Sequence, residues 1–291
     1  MHKSGFVSIT GNPNAGKSTL LNALLGESLS AVSPKAQTTR HRIHGILNGE
    51  DYQIVFADTP GIVNPHNKLH ESMLSAVEST LADSDIFLLI SPLGEDFKNT
   101  GILDKIRESG KPVLLLINKI DLSTQAEITA KIAQWQAELP QAEVLPVSAL
   151  HKFGLDTVLA SILKKLPVGE PYYPKDDISD KDVRFFVKDI IRQKILTFYK
   201  KEVPYSVEVV IDDYTESAKL HRISATIYVE RESQKGIIIG HRGTALKHVG
   251  TEARRGIENF TGKKIFLGLQ VKVMKNWRSS EDALRRFGYD V

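Results

Sequence analysis

The chain contains no cysteine. A disulfide framework and a cysteine-ligated metal centre are thereby excluded, and the composition is compatible with a reducing compartment. Long apolar runs are missing as well. None reaches the ~18 residues a membrane span requires, and Met1-His2-Lys3-Ser4-Gly5 runs straight into a β-prone stretch, so neither a transmembrane helix nor a secretory leader is expected. What is present suffices for a packed protein. With 41% hydrophobic residues over 291 positions the chain can bury a full core, and its length favours two domains over one.

The formal net charge of +3 hides an asymmetry. Residues 1–174 carry 15 Lys and Arg against 18 Asp and Glu, whereas residues 175–291 carry 23 against 17. The excess is concentrated between Lys235 and Arg278, where ten basic residues face two acidic ones. Such a segment suits a polyanionic partner, although a solvated basic face gives the same count.

The first half is organised around Gly11-Asn12-Pro13-Asn14-Ala15-Gly16-Lys17-Ser18, which fits the spacing G-x-x-x-x-G-K-[ST]. A β-prone run, Phe6–Thr10, precedes it, and a helix-forming run from Ser18-Thr19 to Leu25 follows and ends at Gly26. The glycines let the backbone aim successive N–H groups at one phosphate, and the helix N-terminus adds positive charge there. Lys17 is expected to reach the β- and γ-phosphates, and Ser18 to ligate Mg²⁺. His41–Leu47 and Tyr52–Asp58 read as a hairpin, because so short a connection cannot join parallel strands. Buried-type strands follow at Asp85–Ser91, Pro112–Asn118 and Glu143–Ser148, alternating with helical patterns at Leu69–Leu81, Gly101–Arg107, Glu127–Leu139 and Leu155–Leu166. That alternation predicts an α/β domain, a mostly parallel sheet with helices on both faces.

Such a sheet exposes its sites at the carboxyl ends of strands. Asp58-Thr59-Pro60-Gly61 places a carboxylate beside Mg²⁺ through a bound water, and the Gly61 N–H near the γ-phosphate. Asn118-Lys119-Ile120-Asp121 selects the base: a carboxylate at Asp121 only accepts hydrogen bonds, which suits the N1–H and N2–H₂ donors of guanine and not adenine. Asn118 can tie the base loop to the phosphate loop, Lys119 can cover the base plane, and a backbone N–H of Ser148-Ala149 can meet guanine O6. In Ser33–Arg40, a loop carrying hydroxyls, Thr39 is preferred to Thr38 as a ligand to Mg²⁺ that engages only while the γ-phosphate is bound. Lys17, Thr39 and Gly61 are the expected catalytic groups. A small-molecule kinase uses the same phosphate loop, but Asn118–Asp121 argues against it. A binding module whose nucleotide only stabilises the fold remains a rival.

Together these motifs resemble the translation-factor-related class of GTP-hydrolysing switches. Ile62 stands where many such proteins carry a glutamine that orients the attacking water, so the resemblance is to the subgroup with a hydrophobic residue there, and slow intrinsic hydrolysis is implied. Within that subgroup Asn14 matches an asparagine that helps hold a potassium ion beside the phosphates.

Residues 168–182, rich in proline and acidic residues, read as a linker between a GTP-binding domain at 1–167 and a second domain at 183–291. The second domain shows a helical period in Val187, Ile190, Ile191, Ile195 and Phe198, then strands at Tyr205–Asp212 and His221–Glu230, a helix at Thr244–Phe260 and a strand at Ile265–Met274. Without βαβ alternation this is an α+β module. Gly240-His241-Arg242-Gly243 opens the basic helix, in the manner of the G-x-x-G loop by which KH modules clamp single-stranded nucleic acid, and Lys235, Lys247, Arg254 and Arg255 flank it. The element order resembles the bacterial-type (type II) KH arrangement. With Gln37-Thr38-Thr39-Arg40-His41-Arg42 included, nearly the whole chain resembles the Era GTPase family. That resemblance implies binding to the 3′ region of small-subunit ribosomal RNA, a part in assembly of the 30S subunit, and loose association with the inner membrane. We expect a monomer.

Overall fold

The computed structural model describes residues 1–33, 35, 37–62, 64–97 and 100–291, so Pro34 and Ala36 of the hydroxyl-bearing loop lie outside the described residues. The chain divides into two compact units: Met1–Ser30, Thr39–Asn64 and Met73–Asp180 form the first, and Ala31–Thr38, Pro65–Ser72 and Lys181–Val291 the second.

The first unit contains β1 (Lys3–Gly11), α1 (Lys17–Leu25), β2 (Ile43–Asn48), β3 (Tyr52–Asp58), most of α2 (Lys68–Asp83), β4 (Ile86–Pro92), α3 (Thr100–Glu108), β5 (Val113–Asn118), α4 (Gln125–Glu138), β6 (Glu143–Pro146) and α5 (Leu155–Lys165). Its sheet has the order β2-β3-β1-β4-β5-β6, with only the β2–β3 hairpin antiparallel. Alternation along the central strands explains why helices cover both faces. Ile86, Leu88 and Ile90 of β4 pack with Leu20, Leu21, Val158 and Ile162 of α1 and α5, whereas Phe87 and Leu89 pack with Val77, Ile106 and Trp135 of α2, α3 and α4. Strands buried on both faces lose the polar positions that a half-exposed strand shows, which is why β4 and β5 read as unbroken apolar runs. The parallel order also brings the carboxyl ends of β1, β3, β4 and β5 to one edge, where the signature loops emerge.

The stretch expected as a linker is docked on the first unit as far as Asp180. Gln53, fully buried, accepts from the backbone N–H groups of Tyr172 (2.7 Å) and Tyr173 (3.0 Å) and donates to the Tyr173 carbonyl (2.8 Å). The Tyr172 ring lies 4.7 Å from that of Phe6. Proline-rich composition signals the lack of a period, not the lack of a partner, so it could not reveal this docking.

The second unit contains α6 (Val183–Phe198), β7 (Glu208–Thr215), β8 (His221–Val229), α7 (Glu232–Ile239), α8 (Thr244–Thr261), β9 (Ile265–Val273) and α9 (Glu281–Arg286). Its sheet has the order β7-β8-β9, antiparallel then parallel. Val187, Ile191 and Ile195 of α6 and Val249, Ala253 and Ile257 of α8 face Val209, Ile223, Ile227 and Val271 of the strands. Each fully buried valine or isoleucine of this set contributes roughly 1.5–3 kcal/mol. Strand β7 starts later than the sequence suggested. Pro204 fixes φ and removes a donor, and Val203–Ser206 forms a tight helical turn before pairing begins at Glu208.

Candidate functional site

The phosphate loop sits between β1 and α1. Gly16 has φ +103°, and a Cβ there would stand 2.2 Å from the Asn118 amide nitrogen, so only glycine admits this approach of the two loops. Asn118 uses the closeness: its amide donates to the Ala15 carbonyl at 2.8 Å. Within the loop, Ala15 N–H donates to the Asn12 carbonyl (3.2 Å), and the Asn12 amide donates to the carbonyl of Asp96 (2.9 Å). Ala15 is fully buried, Pro13 half-buried and Asn14 exposed at φ +62°.

Lys17 opens α1 and is itself buried, donating to the carbonyls of Gly11 (3.2 Å) and Asn12 (2.9 Å). Burial pushes its ammonium down to about 8, with the Asp58 carboxylate opposing the shift. Asp58, at the end of β3, is fully buried and its carboxyl is pushed up by desolvation; Lys17 and the hydroxyls of Ser30, Ser18 and Thr39 oppose that rise. Ser18 Oγ donates to Asp58 Oδ2 at 2.8 Å, and Thr39 Oγ1 lies 3.0 Å from Ser18 Oγ and 3.3 Å from Asp58 Oδ2. The Thr38 hydroxyl points elsewhere, donating to the Lys35 carbonyl at 2.7 Å.

These positions fit a magnesium ion. Two hydroxyl oxygens converge beside a buried carboxylate whose second oxygen, Asp58 Oδ1, has no hydrogen-bond partner. No cluster of three or more His, Cys, Asp or Glu among the described residues could hold a metal by itself. This is the donor set of an ion held by few protein groups plus phosphates and water, as Mg²⁺ is in nucleotide sites.

Downstream of Asp58, the Thr59 hydroxyl donates to the Ile9 carbonyl (2.9 Å), Pro60 is buried, and the N–H of Ile62 donates to the Gly11 carbonyl (3.4 Å), which sets Gly61 beside the phosphate loop. The Ile62 side chain belongs to the apolar core with Val77 and Phe87. At the base loop, Ser148 Oγ donates to Asp121 Oδ1 at 2.5 Å and holds that carboxyl below its usual range, while Lys119 takes φ +66°. The Ser148 N–H donates to the Phe153 carbonyl (3.1 Å) and the Ala149 N–H to Asn118 Oδ1 (3.0 Å), which ties the Ser148-Ala149 turn to the end of β5. The half-buried Thr19 follows Ser18 on α1. Ser30, which bonds Asp58, was missed from the sequence because no spacing marks it.

In the second unit, Gly240 (φ +73°) ends α7 and Gly243 (φ +77°) begins α8, with Arg242 also at positive φ. A Cβ on Gly240 would stand 2.6 Å from that of Ala245, so the loop closes tightly only with glycine there. His241 and Arg242 are exposed at its tip. Lys247 is exposed and Lys235 half-buried. Arg254 pairs with Glu258 (2.9 Å) and Arg255 with Glu252 (2.6 Å) along α8. Surface pairs of this kind contribute about 0.5 kcal/mol, too little to withhold either arginine from a phosphate.

Fold and sites together define a P-loop GTPase with a C-terminal KH domain. A family model described as a 50S ribosome-binding GTPase matches residues 6–119, and a KH domain model matches residues 202–278. The chain is 45% identical to GTPase Era of Syntrophus aciditrophicus (strain SB), covering all of this chain and 96% of that protein. The structure of Era in complex with MgGDPNP and nucleotides 1506–1542 of 16S ribosomal RNA is similar over the full length of both chains, with TM-score 0.96 and 37% identity. A point variant of Aquifex aeolicus Era bound to GDP and AlF4⁻ is similar with TM-score 0.95 and 38% identity, covering 99% of this chain and 100% of that one. The chain belongs to the Era GTPase family.

Proposed function

We propose that this GTPase is a nucleotide-controlled switch that binds the 3′ region of small-subunit ribosomal RNA through its KH domain and acts in assembly of the 30S subunit. The observation that carries the reading is the position of Thr39. Its hydroxyl lies at Ser18 and Asp58 in the first unit, while the segment before it, Ala31–Thr38, belongs to the second. That segment is gripped by α6. Arg192, buried, donates to the carbonyls of Gln37 and Thr38, and Gln193 donates to that of Val32 (2.7 Å). Lys35 donates to the Tyr199 carbonyl, and the Tyr199 hydroxyl donates to the carbonyl of Ile238 (2.5 Å), two residues before Gly240. A nucleotide that draws Thr39 inward therefore pulls on a segment bonded to the helix that supports the RNA loop.

In the nucleotide site, Gly11–Thr19 wrap the phosphates, with Lys17 neutralising the β- and γ-oxygens as charge develops. Asp121 reads the guanine edge, Asn118 holds the base loop against the phosphate loop, and Lys119 covers the base. Ser18, Thr39 and, through water, Asp58 would hold Mg²⁺, which supplies charge neutralisation between the β- and γ-phosphates. Gly61, with Thr59, Pro60 and Ile62 shaping its turn, presents its N–H to the γ-phosphate. Because the Ile62 side chain is in the core, no group at that position orients water, and intrinsic hydrolysis is slow. The exposed Asn14 carries an amide oxygen suited to a potassium ion beside the phosphates, so hydrolysis should run faster in K⁺ than in Na⁺.

On the RNA side, Gly240–Gly243 lets the phosphate chain approach, and Lys235, His241, Arg242, Lys247, Arg254 and Arg255 supply the charge. The relative's complex with 16S nucleotides supports this target. No helix among the described residues is long and apolar enough to cross a membrane. The same reading has the protein act as a monomer in the cytoplasm and touch the inner membrane only at its surface. Single-turnover hydrolysis of γ-labelled GTP tests the proposal: free phosphate should appear slowly and faster with the 3′ fragment of 16S RNA. A labelled small-molecule product, or a rate indifferent to RNA, would contradict it.

A further inference from the structure

Asp58 carries one hydrogen bond that the phosphate-loop signature does not predict. Ser30 Oγ donates to Asp58 Oδ2 at 2.7 Å from a buried position. Asn22 of α1 holds Ser30 by the backbone, accepting from its N–H (2.8 Å) and from that of Leu29 (3.0 Å), and donating to its carbonyl (2.8 Å). The hydroxyl is thus tethered to the helix that carries Lys17 and Ser18, and it does not depend on the loop 31–38 for its place.

Oδ2 receives three hydroxyls, from Ser18, Ser30 and Thr39, while the buried Oδ1 receives none. Two of those donors are the proposed metal ligands, and Thr39 engages the metal only with the triphosphate. Ser30 is the donor whose position is independent of both. We propose that Ser30 is a positioning residue of the magnesium site: by occupying Oδ2 it locks the Asp58 carboxylate so that Oδ1 faces a metal-bound water, with GDP as well as with GTP. The inference rests on the reading of Ser18, Thr39 and Asp58 as the Mg²⁺ site. A free carboxylate could rotate and offer either oxygen, and burial makes such misorientation costly, because an oxygen turned away from the metal water finds no solvent.

The test is release of a fluorescent GDP analogue from the full chain across a Mg²⁺ titration, in wild type and Ser30→Ala, with thermal melting of both proteins. The Mg²⁺ concentration giving half-maximal slowing of release should rise about tenfold in S30A, the effect of one hydrogen bond to a charged acceptor. Release in excess EDTA should stay within about twofold of wild type. An unchanged Mg²⁺ midpoint, or faster release in EDTA by a similar factor, would overturn the proposal and leave Ser30 as a purely structural anchor of its loop. Were wild-type release itself indifferent to Mg²⁺, the reading of the metal site would fail instead.

Discussion

Two loops in this molecule use the same device, a glycine turn that opens a helix, and surround it in opposite ways. At Gly11–Ser18 the functional side chains are interlocked and withdrawn from solvent: Lys17 is 6% exposed and Asp58 fully buried. At Gly240–Gly243 the side chains of His241 and Arg242 project from the surface. The difference fits the ligands proposed for the two loops. A triphosphate with its metal is compact, multiply charged and has a γ-phosphate that must be sensed, so its groups work best desolvated, where electrostatic interactions are strong. An RNA strand is a long polyanion that must be entered from the side, and its phosphates are met in water through counterion release. Mutations should therefore act steeply in the first loop and in a graded, salt-dependent manner in the second.

The largest effect is expected at Lys17. Lys17→Ala should weaken GTP binding several hundredfold, roughly 3–4 kcal/mol, as when one partner of a buried charge pair is removed. Retention of wild-type affinity in equilibrium titration would contradict the withdrawn, charge-focused site. Next comes the exposed loop. His241→Asp with Arg242→Asp should weaken single-stranded RNA binding about 50-fold and flatten the slope of log K against log salt by about 0.7 for each phosphate that the variant no longer neutralises. GTP affinity should stay within about twofold, roughly 0.4 kcal/mol. An unchanged RNA titration would return the basic segment to an ordinary solvated face.

Smaller again is the base edge. Asp121→Asn should weaken GTP about tenfold or more and favour xanthosine triphosphate, since an amide donates where the carboxylate only accepts. Equal GTP affinity in mutant and wild type would defeat the guanine assignment. The smallest kinetic effect belongs to Ile62→Ala. Hydrolysis per folded molecule should change by less than about threefold, while melting reports a loss of about 2 kcal/mol or more from truncating a buried side chain. A rate loss above ~100-fold, the scale of a positioned acid or base, would place that residue in the chemistry.

The same contrast explains what could be read from the sequence. Both loops are local, because a glycine's necessity at Gly16 or Gly240 is set by residues a few positions away or by one facing strand end, and their spacing survives in the bare chain. So does Asp121, whose acceptor-only chemistry is a property of the side chain. Ser30 and the grip of Arg192 on Gln37 and Thr38 were silent, since those partners lie at separations that only the folded chain closes. The ion pairs of Arg254 and Arg255 fall between the two cases: Glu258 and Glu252 stand at helical spacing and were readable in principle. The bond from the Ala149 N–H to Asn118 Oδ1, which joins two separate loops, shows only in the fold.

The proposed switch links occupancy of the buried loop energetically to occupancy of the exposed one, through Thr39 and the segment that Arg192 holds. Its most direct test is a binding cycle with the 3′ fragment of 16S RNA, titrated into protein loaded with GDPNP and with GDP, together with GDPNP titrated into free and RNA-bound protein. Linkage predicts that RNA binds the GDPNP form more tightly, and that RNA raises GDPNP affinity relative to GDP by the same factor, since coupling between two sites is reciprocal. Arg192→Ala should shrink that factor towards one. Identical RNA affinities in the two nucleotide states would contradict the account and leave a GTPase and a KH domain that merely share a chain.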